Sequence, residues 1–313
     1  MSRKRLIAPS TRAFFQEDGG SKPISLFDRL HGYFYARWPY FYISMGTGTH
    51  PLAKTLAPLI AWVGSLLVAS ATEESGAKAI RFEDTYHGKV VPLGAARQLV
   101  SIKEDIRLGD LEHVIPYALA RDIVLKNPDH IVVLDCPCRV ARAHPCLPLD
   151  VCLIVGEPFA SFVADHHPGR SRWITSEEAQ AILKAEDERG HVHHAFFKDA
   201  MLGRFYAICN CCSCCCGAMQ AQRQGTRMLA ASGYRAEVDP DTCQACGSCE
   251  QVCQFEAISV GITAQVDLAK CMGCGICVNQ CENEALHLER VEGEEPLEIG
   301  AMIEDFHRSL VGA

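Results

Sequence analysis

From residue 81 onward the apolar positions recur with the periods of a globular mixture of helices and strands. Lys89-Val90-Val91-Pro92-Leu93 reads as a strand, and Leu111, Ile115, Ala118 or Leu119, and Ile123 share one side of a helix over residues 111–125. Asn127-Pro128-Asp129 then breaks the chain, and the β-branched run His130–Asp135 predicts a compact strand that leads straight into Cys136. Val151–Val155 predicts another strand. Ser176-Glu177-Glu178 opens a helix to about Glu188, with Thr175 or Ser176 as N-cap and Gly190 as its stop. A second amphipathic stretch covers Ala218–Leu229. Four short apolar strands follow, Tyr234–Val238, Ala257–Val260, Ala264–Val266 and Ala285–Leu288. The pattern predicts an α+β fold with mixed α/β character.

The first 80 residues differ in kind. Residues 1–30 read as an irregular lead-in, followed by the aromatic bursts Tyr33-Phe34-Tyr35 and Trp38-Pro39-Tyr40-Phe41-Tyr42. Thr55–Ala71 is a run of 17 residues without a charge. A spanning helix needs about 20 such residues, and Pro58 and Gly64 weaken this one, so a buried helix is the default. Membrane contact through residues 33–71, with the aromatics as an interfacial belt, is the alternative. No apolar run of signal length follows the basic N-terminal residues, and the expected location is the cytoplasm, with a membrane-peripheral one as the variant.

Composition sharpens this picture at one point. The net charge of −8 and the absence of a basic stretch beyond Arg3-Lys4-Arg5 argue against nucleic acid as a partner. The 18 cysteines, however, fall into three groups: Cys136–Cys152, Cys209–Cys216 and Cys243–Cys281. In a reducing compartment, crowded thiols imply metal or redox chemistry rather than disulfides. The chain divides accordingly into an aromatic, hydrophobic region (1–80), a cysteine-rich α/β module (81–232), a second cysteine domain (233–291) and a C-terminal tail (292–313).

In that second domain, Cys243-x-x-Cys246-x-x-Cys249-x-x-x-Cys253 recurs 28 residues later as Cys271-x-x-Cys274-x-x-Cys277-x-x-x-Cys281. Three cysteines in tandem wrap one iron–sulfur cube, and the fourth reaches the neighbouring cube. One 4Fe–4S cluster is therefore expected on Cys243, Cys246, Cys249 and Cys281, and the other on Cys271, Cys274, Cys277 and Cys253. Gly247 and Gly275 follow the second cysteine of each set, where the backbone passes close to the cluster. Zinc sites use separated CxxC pairs instead. The flanking strands complete a plan that closely resembles bacterial two-cluster ferredoxins. That family has proline after each fourth cysteine; here Gln254 and Glu282 stand there.

The other ten cysteines are Cys136, Cys138, Cys146, Cys152, Cys209, Cys211, Cys212, Cys214, Cys215 and Cys216. Cys136 and Cys138 share a side if the strand continues. In a helix Cys211 would share a face with Cys214 or Cys215, and Cys212 with Cys215 or Cys216. The order CPCR, two further cysteines, ICNCCSCCCG and a tandem ferredoxin motif resembles a family of 4Fe–4S ferredoxin-type proteins of anaerobic bacteria and archaea, over residues 90–290. Cys215-Cys216-Gly217 also resembles the CCG element of heterodisulfide-reductase-type clusters, without its full spaced repeat. Three readings stand open for these ten thiols: one or two more iron–sulfur clusters, a zinc ion on four of them, or redox-active dithiols.

His144, His166-His167 and His191-x-His193-His194 are weaker ligand candidates, read as solvated or locally hydrogen-bonded. Gly46-Thr47-Gly48-Thr49-His50-Pro51 is no dinucleotide fingerprint, and no phosphate loop or hydrolase signature is present. The expectation is an iron–sulfur electron-transfer protein that serves redox partner proteins. The alternative is an oxidoreductase whose cysteine-rich module performs thiol or other reductive chemistry fed by the ferredoxin domain.

Overall fold

The computed structural model describes residues 7–18, 24–53, 55, 86–109, 111, 114 and 123–311. The charge-free run 55–71 lies almost wholly outside the described residues. No helix among the described residues is long and apolar enough to cross a membrane.

The core is one eight-stranded sheet. Its strands are β1 (Tyr86–Val90), β2 (Ile106–Leu108), β3 (Ile123–Asp135), β4 (Asp150–Glu157), β5 (Ser171–Ile174), β6 (Val192–Lys198), β7 (Arg204–Cys211) and β8 (Leu229–Ala230). They lie in the order β2-β3-β4-β7-β6-β1-β8, with β5 paired to β3; the pairs are antiparallel except β1 with β8. Ile131, Val133, Leu153, Val155, Ala195, Phe197 and Ile208 point to one core. Val132, Leu134, Ile154, Phe196 and Tyr206 point to the other, along with Cys136, Cys152 and Cys211. Because both faces are covered, β4, β6 and β7 are buried along nearly their whole length.

Helices Leu93–Leu99, Ser176–Glu188 and Ile299–Val311 cover the first face. On the cysteine-bearing face lie Pro9–Gln16, Leu26–Arg37, Pro39–Gly46 and Phe159–His166. Residues 9–16 are thus helical rather than an irregular lead-in, held by Phe14, which is fully buried with its ring 5.3 Å from that of Phe162. His166 and His167 serve this docking: Nε2 of His166 is 2.8 Å from Thr11 Oγ1, and Nε2 of His167 donates to the Ala36 carbonyl at 2.7 Å.

Two further expectations need correction. Ile123–Leu125 is strand, not the end of a helix, because it pairs with Ile106–Leu108. Asn127-Pro128-Asp129 does not end β3; the strand crosses it with a register shift between Lys126 and Ile131, Asn127 taking φ +46°. The helix Ser176–Glu188 stands as predicted, with the Thr175 hydroxyl accepting from the Glu178 N–H at 3.2 Å.

The second domain contributes β9 (Tyr234–Val238), β10 (Ile258–Val260), β11 (Ala264–Val266) and β12 (Leu286–Arg290). β9 pairs with β12, and β10 with β11, so the first strand of each repeat bonds the last strand of the other.

Candidate iron–sulfur site

The 28-residue repeat is written into the backbone. Ala264 N–H points at Cys243 Sγ at 3.4 Å, and its counterpart Ala236 N–H points at Cys271 Sγ at 3.5 Å. Ala257 N–H approaches Cys253 Sγ and Ala285 N–H approaches Cys281 Sγ, both at 3.3 Å. Donors aimed at sulfur stabilise the thiolate form that a metal requires. Left-handed residues recur at the same spacing: Ala245 and Gly273, Gly247 and Gly275, Glu256 and Glu284. Gly247 and Gly275, at φ +83° and +82°, open the short helices Ser248–Val252 and Ile276–Asn279. Within this domain backbone passes close to backbone at Gly273, where a Cβ would lie 2.1 Å from the Tyr234 carbonyl oxygen.

Each fourth cysteine lies with the first three of the other repeat. Cys281 joins Cys243, Cys246 and Cys249 around a cavity of about 20 Å³, walled also by the small residues Ala245, Ala264 and Ala285. Cys253 lies in the electrostatic field of Cys274 and Cys277, together with Cys271. An all-thiol donor set fringed by backbone N–H groups and small side chains fits an iron–sulfur cluster and offers no carboxylate for a hard cation. The two quartets differ in exposure. Cys246 is exposed, and the N–H and hydroxyl of Ser248 lower its pKa. Burial, with Cys253 and Cys271 nearby, pushes Cys274 up to about 12.

The Cys274 side is also the side that meets the sheet. Ile276 packs with Val90 and Val192, with Cys274 and Met272 alongside. Phe255 and Met272 reach the core that carries the upstream thiols. Gln254, one of the two departures from the ferredoxin pattern, spans the joint: its amide donates to the Gly190 carbonyl at 3.0 Å and accepts from the Ser213 N–H at 2.9 Å. Asn279 bonds the Asp187 carboxylate at 2.9 Å, and Gln280 the Glu188 carbonyl at 3.1 Å.

The ten upstream cysteines separate into four and six. Cys209 and Cys211 lie in β7 and Cys212–Cys215 form a turn, so no helix forms here, although the turn does bring Cys212 to Cys215. Cys146, Cys212, Cys214 and Cys215 bring their four Sγ atoms within 4.8 Å of one another. The other six make one chain of neighbouring sulfurs: Cys209 to Cys152, Cys136, Cys138, Cys216 and Cys211. Cys136 and Cys138 do meet, but β3 ends at Asp135 and Cys138 sits in the helical turn Pro137–Val140. These six line a cavity of about 70 Å³ with Cys212 and Cys215, closed by Tyr35, Pro39 and Ile43 from the N-terminal helices. Tyr35 and Tyr206 share a hydrogen bond of 3.0 Å at its edge, and burial drives both phenol pKa values up.

Arg139, unremarked in the sequence, organises this region. It is 1 % exposed, bonds Glu186 Oε2 at 2.6 Å and the Asn210 carbonyl at 3.1 Å, and also holds the Pro148 carbonyl on the loop that carries Cys146. Its place directly after Cys-Pro-Cys was the available signal. The histidines at 191, 193 and 194 are all buried, the first two locally hydrogen-bonded as one of the two expected states. His191 bonds Glu186 and His193 bonds Asn210, each at 2.7 Å; His194 is fully buried, and burial with His193 nearby lowers its pKa to about 3.

Residues 236–259 and 264–287 match the family model described as a 4Fe-4S binding domain. No curated protein and no solved structure matches the chain. The repeat, the sulfur-directed N–H groups and this match together establish a ferredoxin-type 4Fe–4S binding domain at the C-terminal end of an α+β protein rich in upstream cysteines.

Proposed function

We propose that this protein is an iron–sulfur electron carrier or redox subunit whose ferredoxin domain holds two 4Fe–4S clusters. Cys243, Cys246, Cys249 and Cys281 hold one, and Cys271, Cys274, Cys277 and Cys253 hold the other. When bound, each cluster takes up and releases one electron. The observation that carries the reading is the reciprocal pair of N–H···S contacts from Ala264 to Cys243 and from Ala236 to Cys271. The protein residues set solvent exclusion and hydrogen bonding around the sulfurs, which tune potential. The exposed Cys246 edge faces redox partners, and the half-buried Cys274 edge faces the sheet. In anaerobically purified protein, Cys246→Ala and Cys274→Ala should each remove or degrade one cluster; unchanged iron in both variants refutes the assignment.

One observation favours a role for the upstream module as well. Six neighbouring sulfurs line a mostly apolar cavity on the side where Phe255 and Met272 of the ferredoxin domain pack. Such crowding of thiols suits a further iron–sulfur cluster, which about twelve irons per chain in place of about eight would reveal. The oxidoreductase alternative requires that the reduced protein turn over a disulfide or small oxidant in that cavity. A surface stripe of Leu26, Leu30, Phe34, Trp38 and Phe41 supports peripheral membrane contact of the N-terminal helices.

A further inference from the structure

The four thiols outside the six-sulfur chain have a geometry of their own. Cys146 Sγ lies 3.2 Å from Cys214 Sγ, and Cys214 Sγ lies 3.7 Å from Cys215 Sγ. With Cys212 Sγ, all four fall within 4.8 Å of one another. Four sulfurs bonded to a single ion at about 2.3 Å sit about 3.8 Å apart at the corners of a tetrahedron. A cubane holds its thiolates further apart, because each binds a different iron. The ferredoxin quartets supply the comparison within the same chain: among the described residues, no three of their thiols come within that limit.

We propose that Cys146, Cys212, Cys214 and Cys215 bind one zinc ion in a closed tetrahedral site. A soft, all-thiolate tetrahedron takes zinc or iron, and the divalent stability order places zinc above ferrous iron at the same ligands. The ion joins two segments far apart in sequence, the loop after Pro137–Val140 and the turn after β7. Both are already steadied from outside the site. Arg142 donates to the Cys215 carbonyl at 3.0 Å and to Gln220 Oε1 at 2.6 Å, and Gln220 donates to the Cys214 carbonyl at 2.8 Å. The guanidinium also offsets part of the charge of four thiolates around a divalent ion. Cys212 and Cys215 contribute to the wall of the six-thiol cavity, and Ser213 between them receives Gln254. The zinc therefore fixes the wall on which the ferredoxin domain docks. It is a structural ion and carries no electron.

The test is metal analysis of the full chain purified without oxygen. The expected result is one zinc per chain beside the iron, falling below a tenth in Cys146→Ser/Cys214→Ser with the iron and the reduced spin-resonance spectrum unchanged. Cys214→His, which keeps four ligands at an exposed position, should retain the zinc. Cobalt(II) exchanged into the wild-type protein gives a readout free of any folding defect: intense tetrahedral d–d bands with thiolate-to-cobalt charge transfer support the site, and a weak octahedral spectrum overturns it. Zinc that survives the double substitution overturns it too. So does one iron, or four, that tracks with these same cysteines. Loss of iron from Cys243–Cys281 with zinc retained would sink the electron-transfer reading alone.

Discussion

Gln254→Pro restores the residue that two-cluster ferredoxins carry after the fourth cysteine, and it isolates what the glutamine contributes. The backbone accepts the change, because Cys253 sits at φ −69° and ψ 103°, in the extended region required before proline. What disappears is the amide that holds the Gly190 carbonyl and the Ser213 N–H. At about 1 kcal/mol for each bond, docking weakens by about 2 kcal/mol, and a stranded Ser213 N–H adds to this. That is a factor of about 30 in the closed-to-open ratio of the joint, since about 1.4 kcal/mol is tenfold. Hydrogen exchange at the Ser213 amide should accelerate by up to this factor, and the thermal midpoint should fall by about 4–8 °C at about 2–4 °C per kcal/mol. Iron content should stay at the wild-type value, because no proposed ligand is touched. Glu282→Pro is the internal control: Glu282 occupies the equivalent, exposed position, and its side chain makes no hydrogen bond among the described residues. Equal losses in the two variants, or unchanged exchange at Ser213 in Gln254→Pro, would refute the reasoning.

Arg139→Leu should destabilise the protein by about 3–5 kcal/mol, because the Glu186 carboxylate it bonds is fully buried; chemical denaturation measures this, and Glu186→Gln in the same chain should recover much of the loss. His31 has its pKa lowered to about 4, chiefly by burial and then by Lys198. A depressed histidine means that the unfolded chain takes up the proton first, so the packing of helix Leu26–Arg37 weakens as pH falls from about 6.5 toward 4 and holds above that window; limited proteolysis across this range reads it, and His31→Gln should flatten the profile. Phe34→Ser/Trp38→Ser should abolish flotation with anionic vesicles while leaving the iron content alone, and equal flotation of variant and parent rules out the stripe as a membrane contact.

How much of this could be read from the chain depended on the distance over which each feature is encoded. The ferredoxin domain was legible because its ligand spacing is local and its short strands are apolar on both sides of each cysteine set. The exchange of Cys253 and Cys281 between quartets followed from the same spacing. β6 and β7 escaped because both faces of the sheet are covered, which removes the alternation that reveals a strand; the polar residues His193, His194 and Asn210 further disguised them. The division of the upstream thiols was out of reach, since the approach of Cys146 to Cys214 spans 68 positions. Gln254 was visible as a departure from a pattern, but its purpose appears only when Gly190 and Ser213 are brought beside it.

The crossing of β9 to β12 and of β10 to β11, with the last sulfur of each repeat delivered across the same divide, makes the two halves of the domain interlocked. Cut at residue 262, neither half of this domain would own a complete proposed ligand set or keep any of its four strands paired. With the two clusters proposed above, assembly of the wild-type domain should be cooperative, a first cluster preorganising the cradle for a second.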